Sequence, residues 1–422
     1  MSVFSLVVVS CPKEGQSQPL LEAQEARNKH NKAKRVVVLR QCNMGIKLSN
    51  YADVRFTIVI QKSKKTVLFA ALDWGLGHAT RCIPLIDALI ELGHTPILAS
   101  SGHALQFWKN YYPSLQFVTL SSLDVRYNGT AWWSALLQSP FMIRRLMVDD
   151  KKLLKQYLKN NTVDFIVSDN RYGCTYPGIK AVLLSNQLDL LPPQNWSGLP
   201  ALSWKIIWRS AFRGFAAPFQ ELWLPEFEDE TLQLAKAMLY NPTKKPVRYI
   251  GLVTRLAVET PTYIKKGTLL LLSGPEPQRT ELERLLLAQT HLFPPPLTLV
   301  RGNNTAKNLA PNEKVNILPE ITDPKELTQL IKQHKYVVCR PGHSTLSDLY
   351  YCGAHFGVIS TPGQPEQEYL AQRITSMGIA PNQEQKNINV TRLIADIDKF
   401  TGFKGKNQRS LTELWTNVLN SL

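Results

Sequence analysis

The chain has 422 residues, enough for two domains of ordinary size, and 44% of them are hydrophobic, which is typical of a globular protein. No apolar run approaches the roughly 20 residues that a membrane-spanning helix needs. The six cysteines include no Cys-x-x-Cys pair, which argues against a disulfide framework or a zinc site and favours a reducing compartment. The formal net charge of +16 favours acidic partners such as nucleotides or anionic lipid. No nucleic-acid-binding motif accompanies it, so we expect no nucleic-acid partner.

Residues 1–65 differ from the rest of the chain. About half of the excess positive charge precedes residue 66, and the segment from Lys29 to Arg35 is typical of a solvated region. The sequence predicts a poorly ordered basic extension here, with an edge strand at Val54–Ile60.

The segment after residue 65 opens with a strand, a glycine turn and a helix. Val67–Leu72 is an unbroken apolar run, as expected of a parallel strand buried on both faces, and Gly75 and Gly77 permit a tight turn. A strand followed by a helix N-terminus forms an anion site, because unpaired N–H groups and the helix dipole point at one place. His78 lies at this turn beside Arg81 and is a candidate general base. The alternative is an ordinary loop whose histidine caps the helix.

Alternating strands and helices continue from there. Val163–Ser168 is a buried strand that ends in Asp169, Asn170 and Arg171, and Lys180–Leu184 is followed by another polar cluster at residues 185–187. In an open parallel sheet the carboxyl ends of strands face the ligand crevice, so these clusters are candidate site residues. Capping of loops is the alternative.

One aromatic face in this half has two interpretations. Trp204, Ile207, Trp208, Ala211 and Phe215 follow helical spacing and would line one face. Such a face is usually core, but tryptophan beside arginine also suits the surface of an anionic membrane.

Asn241–Pro246, with two prolines and two lysines, is the best linker candidate. Beyond it, Thr268–Leu272 is a strand whose following turn, Ser273-Gly274, forms a second anion site. Two further motifs follow later strands: Arg-Pro-Gly-His-Ser-Thr-Leu-Ser-Asp at 340–348 and Pro-Gly-Gln-Pro-Glu-Gln at 362–367.

Together these motifs resemble the family of the undecaprenyl-diphospho-muramoylpentapeptide β-N-acetylglucosaminyltransferase, and most closely its uncharacterised bacterial MurG-like members. The resemblance implies a GT-B fold of class α/β, in which two Rossmann-like doubly wound parallel-sheet domains face a cleft. It places an acceptor-side domain at 66–241, a nucleotide-sugar donor domain at 247–405, and a helix at 406–422 that packs back across both domains.

The resemblance also implies roles for individual residues. Arg255 would contact the donor diphosphate and Asp348 would accept hydrogen bonds from the ribose hydroxyls. The other donor positions are Ser273, Gly274, Arg340, Gly342, His343, Ser344, Thr345, Gln364, Glu366 and Gln367. His78 would face the acceptor as the base, with Asp169 as the next candidate. The acceptor and phosphate loop would consist of Asp73, Trp74, Gly75, Gly77, Arg81, Asn170 and Arg171.

The implied activity is that of a hexosyltransferase that moves a sugar, such as an N-acetylhexosamine, from a UDP-sugar to an acceptor, with no metal and no further cofactor. We expect a cytoplasmic enzyme. A lipid-linked acceptor at the inner face of the plasma membrane is one alternative, although bulky Trp74 alters what can dock beside His78. Residues 75–85 also resemble the UDP-sugar hydrolase of pseudaminic acid synthesis, in which the histidine activates water. A nucleotide-sugar-binding protein without catalysis is a third interpretation.

Overall fold

The computed structural model describes residues 4–9, 22–26, 34–40, 56–60, 64–122, 132–192, 196–256, 264–274, 276–302, 315–405 and 410–420. The chain forms two compact units, Met1–Lys64 and Lys65–Leu422.

The first unit contains a four-stranded sheet. Its strands are β1 (Phe4–Val9), β2 (Glu22–Ala26), β3 (Lys34–Arg40) and β4 (Phe56–Ile60). They lie in the order β2-β3-β1-β4, with β1 parallel to both β3 and β4, and β2 antiparallel to β3. The sequence predicted little order here, whereas the backbone pairs into strands, because the valine-rich runs have strong strand propensity. The strand β4 lies at the sheet edge, as predicted.

The second unit begins with a seven-stranded parallel sheet in the order β11-β10-β9-β8-β5-β6-β7. Its strands are β5 (Thr66–Ala71), β6 (Thr95–Ser100), β7 (Gln116–Thr119), β8 (Phe165–Asp169), β9 (Lys180–Leu184), β10 (Glu221–Leu224) and β11 (Val247–Tyr249). Because β11 pairs with β10, this sheet extends past the predicted linker at 241–246 and includes residues that the sequence assigned to the second domain. Strand order reverses between β5 and β8, and this reversal marks the crevice of a doubly wound sheet.

Helices α1 (Gly77–Glu91), α2 (Gly102–Tyr111), α3 (Trp132–Tyr157) and α4 (Gly198–Ala216) accompany this sheet. In α4 the aromatic face is core: Trp204, Trp208 and Phe215 are all buried. Ile207, which the sequence placed on the same face, is instead 59% exposed. No helix among the described residues is both long enough and apolar enough to cross a bilayer.

A six-stranded parallel sheet follows, in the order β14-β13-β12-β15-β16-β17. Its strands are β12 (Thr268–Leu271), β13 (Leu297–Val300), β14 (Val315–Leu318), β15 (Tyr336–Cys339), β16 (Phe356–Ser360) and β17 (Asn382–Glu384). Its helices are α5 (Gln278–Leu287), α6 (Pro324–Gln333), α7 (His343–Cys352), α8 (Pro365–Ser376) and α9 (Val390–Ile397). The prediction of two doubly wound parallel sheets is therefore confirmed.

The last helix, α10 (Thr412–Asn420), returns to the first sheet. Trp415 is fully buried there and packs against the rings of Phe69 and Trp223, with centroids 5.8 Å and 5.6 Å away. Its indole Nε1 donates a hydrogen bond to the carbonyl of Leu85 at 2.8 Å. The end of the described chain is thus part of the core of the first sheet.

Candidate active site

The two predicted base candidates meet at the carboxyl ends of β5 and β8. His78, in the first turn of α1, has its Nδ1 2.8 Å from Oδ1 of Asp169, the last residue of β8. The side chain of Asp169 is fully buried, whereas that of His78 is 16% exposed. Arg81, one turn along α1, donates from Nε and one terminal nitrogen to both oxygens of the Asp169 carboxylate.

The charge of this cluster is fixed by Arg81. Burial alone would raise the pKa of Asp169, but the cation of Arg81 and the adjacent His78 hold it below its ordinary value. An ionised carboxylate that is paired in this way is better suited to orient His78 than to act as a general base itself. Arg81 was expected in the phosphate loop; it is instead 4% exposed and paired inside the first domain.

Two neighbours compete for Nδ1 of His78. Besides Asp169, a terminal nitrogen of Arg81 lies 2.8 Å from the same ring atom. Nδ1 either donates to Asp169 or accepts from Arg81, because it cannot do both. Donation to Asp169 leaves Nε2 unprotonated, and only that tautomer can take a proton from a substrate at Nε2.

A hydrogen-bond chain continues from this cluster into the second domain. Arg81 Nη1 donates to Asn186 Oδ1 at 2.5 Å, and Asn186 Nδ2 donates to Glu366 Oε1 at 2.9 Å. The sequence placed Asn186 in a polar cluster that follows a strand and is a candidate part of the site, but gave it no individual role.

The start of α7 contacts the His78 turn. Ser344 Oγ donates to the carbonyl of Gly77 at 3.0 Å, and a Cβ on Gly77 would lie 3.3 Å from the same oxygen. A glycine therefore permits the close approach of this helix start. His343, expected to bind the donor, is buried and has its Nε2 2.9 Å from Oε1 of Glu226, a residue that follows β10. The imidazole therefore makes an interdomain contact through Nε2.

Asp348 and Arg255 occupy the second domain near the interface. Asp348 accepts a hydrogen bond from the Thr254 hydroxyl, and burial raises the pKa of its carboxyl to about 6, with Thr254 and Arg255 opposing the shift. Arg255 donates to the carbonyls of Ile321 and Thr322, with its guanidinium carbon 5.6 Å from the ring centre of Phe107 in the first domain.

Two buried oxygen atoms without a partner among the described residues lie beyond β16, close to the turn that follows β12. Thr361 Oγ1 and Gln364 Oε1 are buried without a hydrogen-bond partner in the described part of the chain. Gly274, next to half-buried Ser273, has φ +107°, and a Cβ there would lie 3.8 Å from Thr361 Oγ1. Gln367 is already engaged, because its Oε1 accepts from the Thr361 amide at 3.0 Å. Unsatisfied oxygens at strand ends are natural partners for ligand hydroxyls.

Two arginines that were predicted to bind ligands make hydrogen bonds to protein groups. Arg340 is fully buried and donates to the carbonyls of Ile359 and Ser360 at 3.0 and 2.8 Å, and burial lowers its pKa to about 10. Arg171, 1% exposed, donates to both oxygens of the Asp150 carboxylate at 3.1 and 3.2 Å. Both were expected to bind ligands, and in the structure their terminal nitrogens are engaged by protein groups, while Arg340 Nε has no partner among the described residues.

The remaining predicted residues shape the loops. Asp73 Oδ1 accepts from the Ala104 amide at 3.0 Å, so it caps α2, while Trp74 beside it is 48% exposed. Gly75 and Asn170 adopt positive φ angles of 82° and 52°. Gly342 and Thr345 lie at the N-cap and in the first turn of α7.

Residues 302–414 match the Glycosyltransferase family 28 C-terminal domain. Similar solved structures cover most of both domains. The spinosyn rhamnosyltransferase SpnG is 15% identical, over 80% of this chain and 92% of that chain, with a TM-score of 0.54. The glycosyltransferase SnogD from Streptomyces nogalater is 15% identical, over 85% of this chain and 100% of that chain, with a TM-score of 0.52. MurG from Acinetobacter baumannii is 14% identical, over 85% of this chain and 100% of that chain, with a TM-score of 0.50.

These identities are low, so the likeness shows the fold, which is GT-B as predicted. No curated protein sequence matches the chain. A further structure of SpnG is a complex with thymidine diphosphate.

The second domain thus brings the first turn of α7 to the His78 turn and the start of α8 to Asn186 of the first domain. Among the described residues no group of three His, Cys, Asp or Glu side chains is arranged to hold a metal ion. The arrangement combines an oriented histidine on one side with helix N-termini and unsatisfied oxygens on the other.

Proposed function

We propose that the protein is a nucleotide-sugar-dependent hexosyltransferase that takes an N-acetylhexosamine from a UDP-sugar. The observation that carries the proposal is the placement of His78: it is oriented by buried Asp169 and lies on a turn that Ser344 of the family 28 domain contacts. A base on one domain and the donor loops on the other is the arrangement that transfer across a cleft requires.

The chemistry follows from these positions. An acceptor hydroxyl attacks the anomeric carbon of the donor while His78 Nε2 takes the hydroxyl proton, and the bond from the anomeric carbon to the nucleoside diphosphate breaks. The electron pair of that bond leaves with the diphosphate. The amides at the N-terminus of α7 and the guanidinium of Arg255 would stabilise the negative charge. Asp348 would hold the ribose, and Thr361 and Gln364 would address sugar hydroxyls.

The exposed face of α4 supports a lipid-linked acceptor and peripheral contact with an anionic membrane. Leu199, Leu202 and Ile206 are 78%, 54% and 60% exposed and follow helical spacing. Lys205 and Arg213 belong to the same helix and carry positive charge. Apolar side chains flanked by cations suit the headgroup region of an acidic bilayer, where the former insert and the latter meet phosphate.

The test is turnover of UDP-sugars, with dTDP-sugars alongside, in the presence and absence of membrane extract. His78→Ala should lower turnover by roughly 10²–10⁴-fold with UDP affinity nearly unchanged, because a general base contributes to the reaction step and not to donor binding. His291→Ala, which removes an exposed histidine in the second domain, is the matched control. Equal loss of affinity and turnover in His78→Ala would show that His78 is a donor ligand or structural.

The same assay addresses the hydrolase alternative. The His78–Asp169 pair could equally activate water, and the resemblance of residues 75–85 to a UDP-sugar hydrolase favours that possibility. Release of free sugar at full rate without membrane extract or any acceptor would establish hydrolysis and exclude transfer as the main activity.

A further inference from the structure

Asn186 lies between two charged groups of opposite sign that belong to different domains. Its side-chain oxygen accepts from the Arg81 guanidinium at 2.5 Å, and its side-chain nitrogen donates to the Glu366 carboxylate at 2.9 Å. Asn186 is 4% exposed. An amide fits this place in one orientation only, because the oxygen must face the cation and the N–H group must face the anion.

Arg81 transmits the position of Asn186 to the site. The guanidinium is planar, and its nitrogens contact Asp169, Asn186 and His78 together. A rotation that improves one of these hydrogen bonds weakens another, since the donors of arginine are fixed in one plane. When Asn186 accepts a hydrogen bond from Nη1 of Arg81, the other guanidinium nitrogens remain hydrogen-bonded to the Asp169 carboxylate. Without the hydrogen bond to Asn186, the guanidinium is free to tilt towards Nδ1 of His78.

The tilt matters because of the tautomer. When Nδ1 of His78 accepts a hydrogen bond from Arg81, the single proton of the neutral imidazole lies on Nε2. A protonated Nε2 cannot act as a general base. When Nδ1 instead donates a hydrogen bond to Asp169, Nε2 is unprotonated and can take a proton. In this series of hydrogen bonds, the one between Asn186 and Glu366 joins the first domain to the second. It therefore forms only when the two domains are closed together.

We infer that Asn186 is a positioning residue that makes the base-competent tautomer of His78 depend on Glu366 and thus on closure of the second domain. This inference rests on the proposed function. Its consequence is that an enzyme without the second domain in place holds an inactive base, which protects the donor from water.

The test exchanges the donor and acceptor of the interdomain contact. Asn186→Asp keeps an oxygen towards Arg81 but turns a carboxylate towards Glu366, and the two like charges repel. We expect kcat for transfer to fall roughly 10- to 100-fold while UDP affinity changes less than about threefold. Adding Glu366→Gln to Asn186→Asp should recover kcat at least roughly tenfold, because the new amide can donate to the new carboxylate.

Matched controls separate this coupling from a general effect. Glu368→Gln makes the same chemical change on α8, but Glu368 Oε1 accepts from the Gly363 amide within the second domain. It should give no recovery when combined with Asn186→Asp. Asn186→Ala introduces no charge and should lower kcat without recovery by Glu366→Gln, which keeps the inference testable if Asn186→Asp folds poorly.

A spectroscopic readout reports the tautomer directly. Nitrogen-15 spectra of histidine-labelled protein, assigned with His78→Ala, should show His78 protonated at Nδ1 in the wild type with UDP-N-acetylglucosamine, and a shift towards Nε2 in Asn186→Ala. An unchanged tautomer, or additive effects of the two exchange substitutions on kcat, would overturn the inference alone. Absence of turnover of every nucleotide sugar by the wild type would overturn the proposed function and this inference with it.

Discussion

The raised pKa of Asp348 makes donor binding dependent on pH in a direction that can be tested. Ribose hydroxyls donate hydrogen bonds, so the proposed role of Asp348 needs the ionised carboxylate as acceptor. Burial raises the pKa of this carboxyl to about 6 in the protein without ligand. Donor binding is therefore strong above that pH and weakens as the pH falls through it, because a proton must be displaced before the ribose can bind.

The size of the effect follows from the pKa. With a pKa of about 6, Asp348 is almost fully ionised at pH 7.5 and about one-tenth ionised at pH 5, so donor affinity should fall about tenfold between these values. A tenfold change corresponds to about 1.4 kcal/mol of binding free energy. Thr254→Val removes the hydroxyl that donates to the carboxylate, so it should move the loss of affinity to higher pH.

Calorimetric titration with UDP-N-acetylglucosamine is the appropriate assay, because its second phosphate is esterified to the sugar and lacks the ionisation at about pH 6 that the terminal phosphate of UDP has. Asp348→Asn should bind about 1–3 kcal/mol more weakly at pH 7.5 and show no further loss at pH 5, since an amide has no proton to gain. Affinity that stays constant in the wild type, or that falls equally in Asp348→Asn, would refute the ribose assignment.

Three further predictions concern the contacts around the site. Trp415→Ala should lower the free energy of unfolding by about 3–5 kcal/mol in urea titrations, because it empties a fully buried site, and a loss below about 1 kcal/mol would contradict this. The pKa of His103 is raised by its hydrogen bond to Glu320, so this interdomain pair should stabilise the protein below the ordinary histidine pKa and lose its effect as the pH rises through the raised value. The difference in melting temperature between wild type and His103→Gln should therefore be larger at pH 6 than at pH 8, and equal differences would exclude the pair. Asp169→Asn should lower turnover by roughly 10²–10⁴-fold and unfolding free energy by about 3–5 kcal/mol, since Arg81 would remain buried without its anion; unchanged stability would contradict the pairing.

Local patterns of the sequence predicted the buried strands of both sheets. Val67–Leu72 and Thr268–Leu272 are apolar runs that end in glycine turns, and only parallel strands buried on both faces need such runs. The GT-B architecture itself was implied by the resemblance of the later motifs to a known family. The placement of β11 was not predicted, because pairing with β10 depends on which sheet edge is free, and that is a property of the assembled sheet.

The candidate site was predicted in part. His78 and Asp169 were both named from their positions after buried strands, and the structure brings them to 2.8 Å. Their pairing is a consequence of strand order: β5 and β8 are neighbours although 91 residues separate the two side chains. Adjacency of parallel strands is decided by the crossovers between them, which no local pattern encodes.

Only the tertiary structure decided which polar side chains are engaged by other protein groups. Arg81, Arg171 and Arg340 stand in motifs that suggest anion binding, yet each is buried and engaged by protein groups. Asn186, which the sequence named only as part of a polar cluster after a strand, connects the two domains. A buried charge is stable only with a partner, and the partners of these side chains come from distant strands and loops. The sequence therefore determined where polar groups border the crevice, whereas packing of remote segments determined which of them remain available for a substrate.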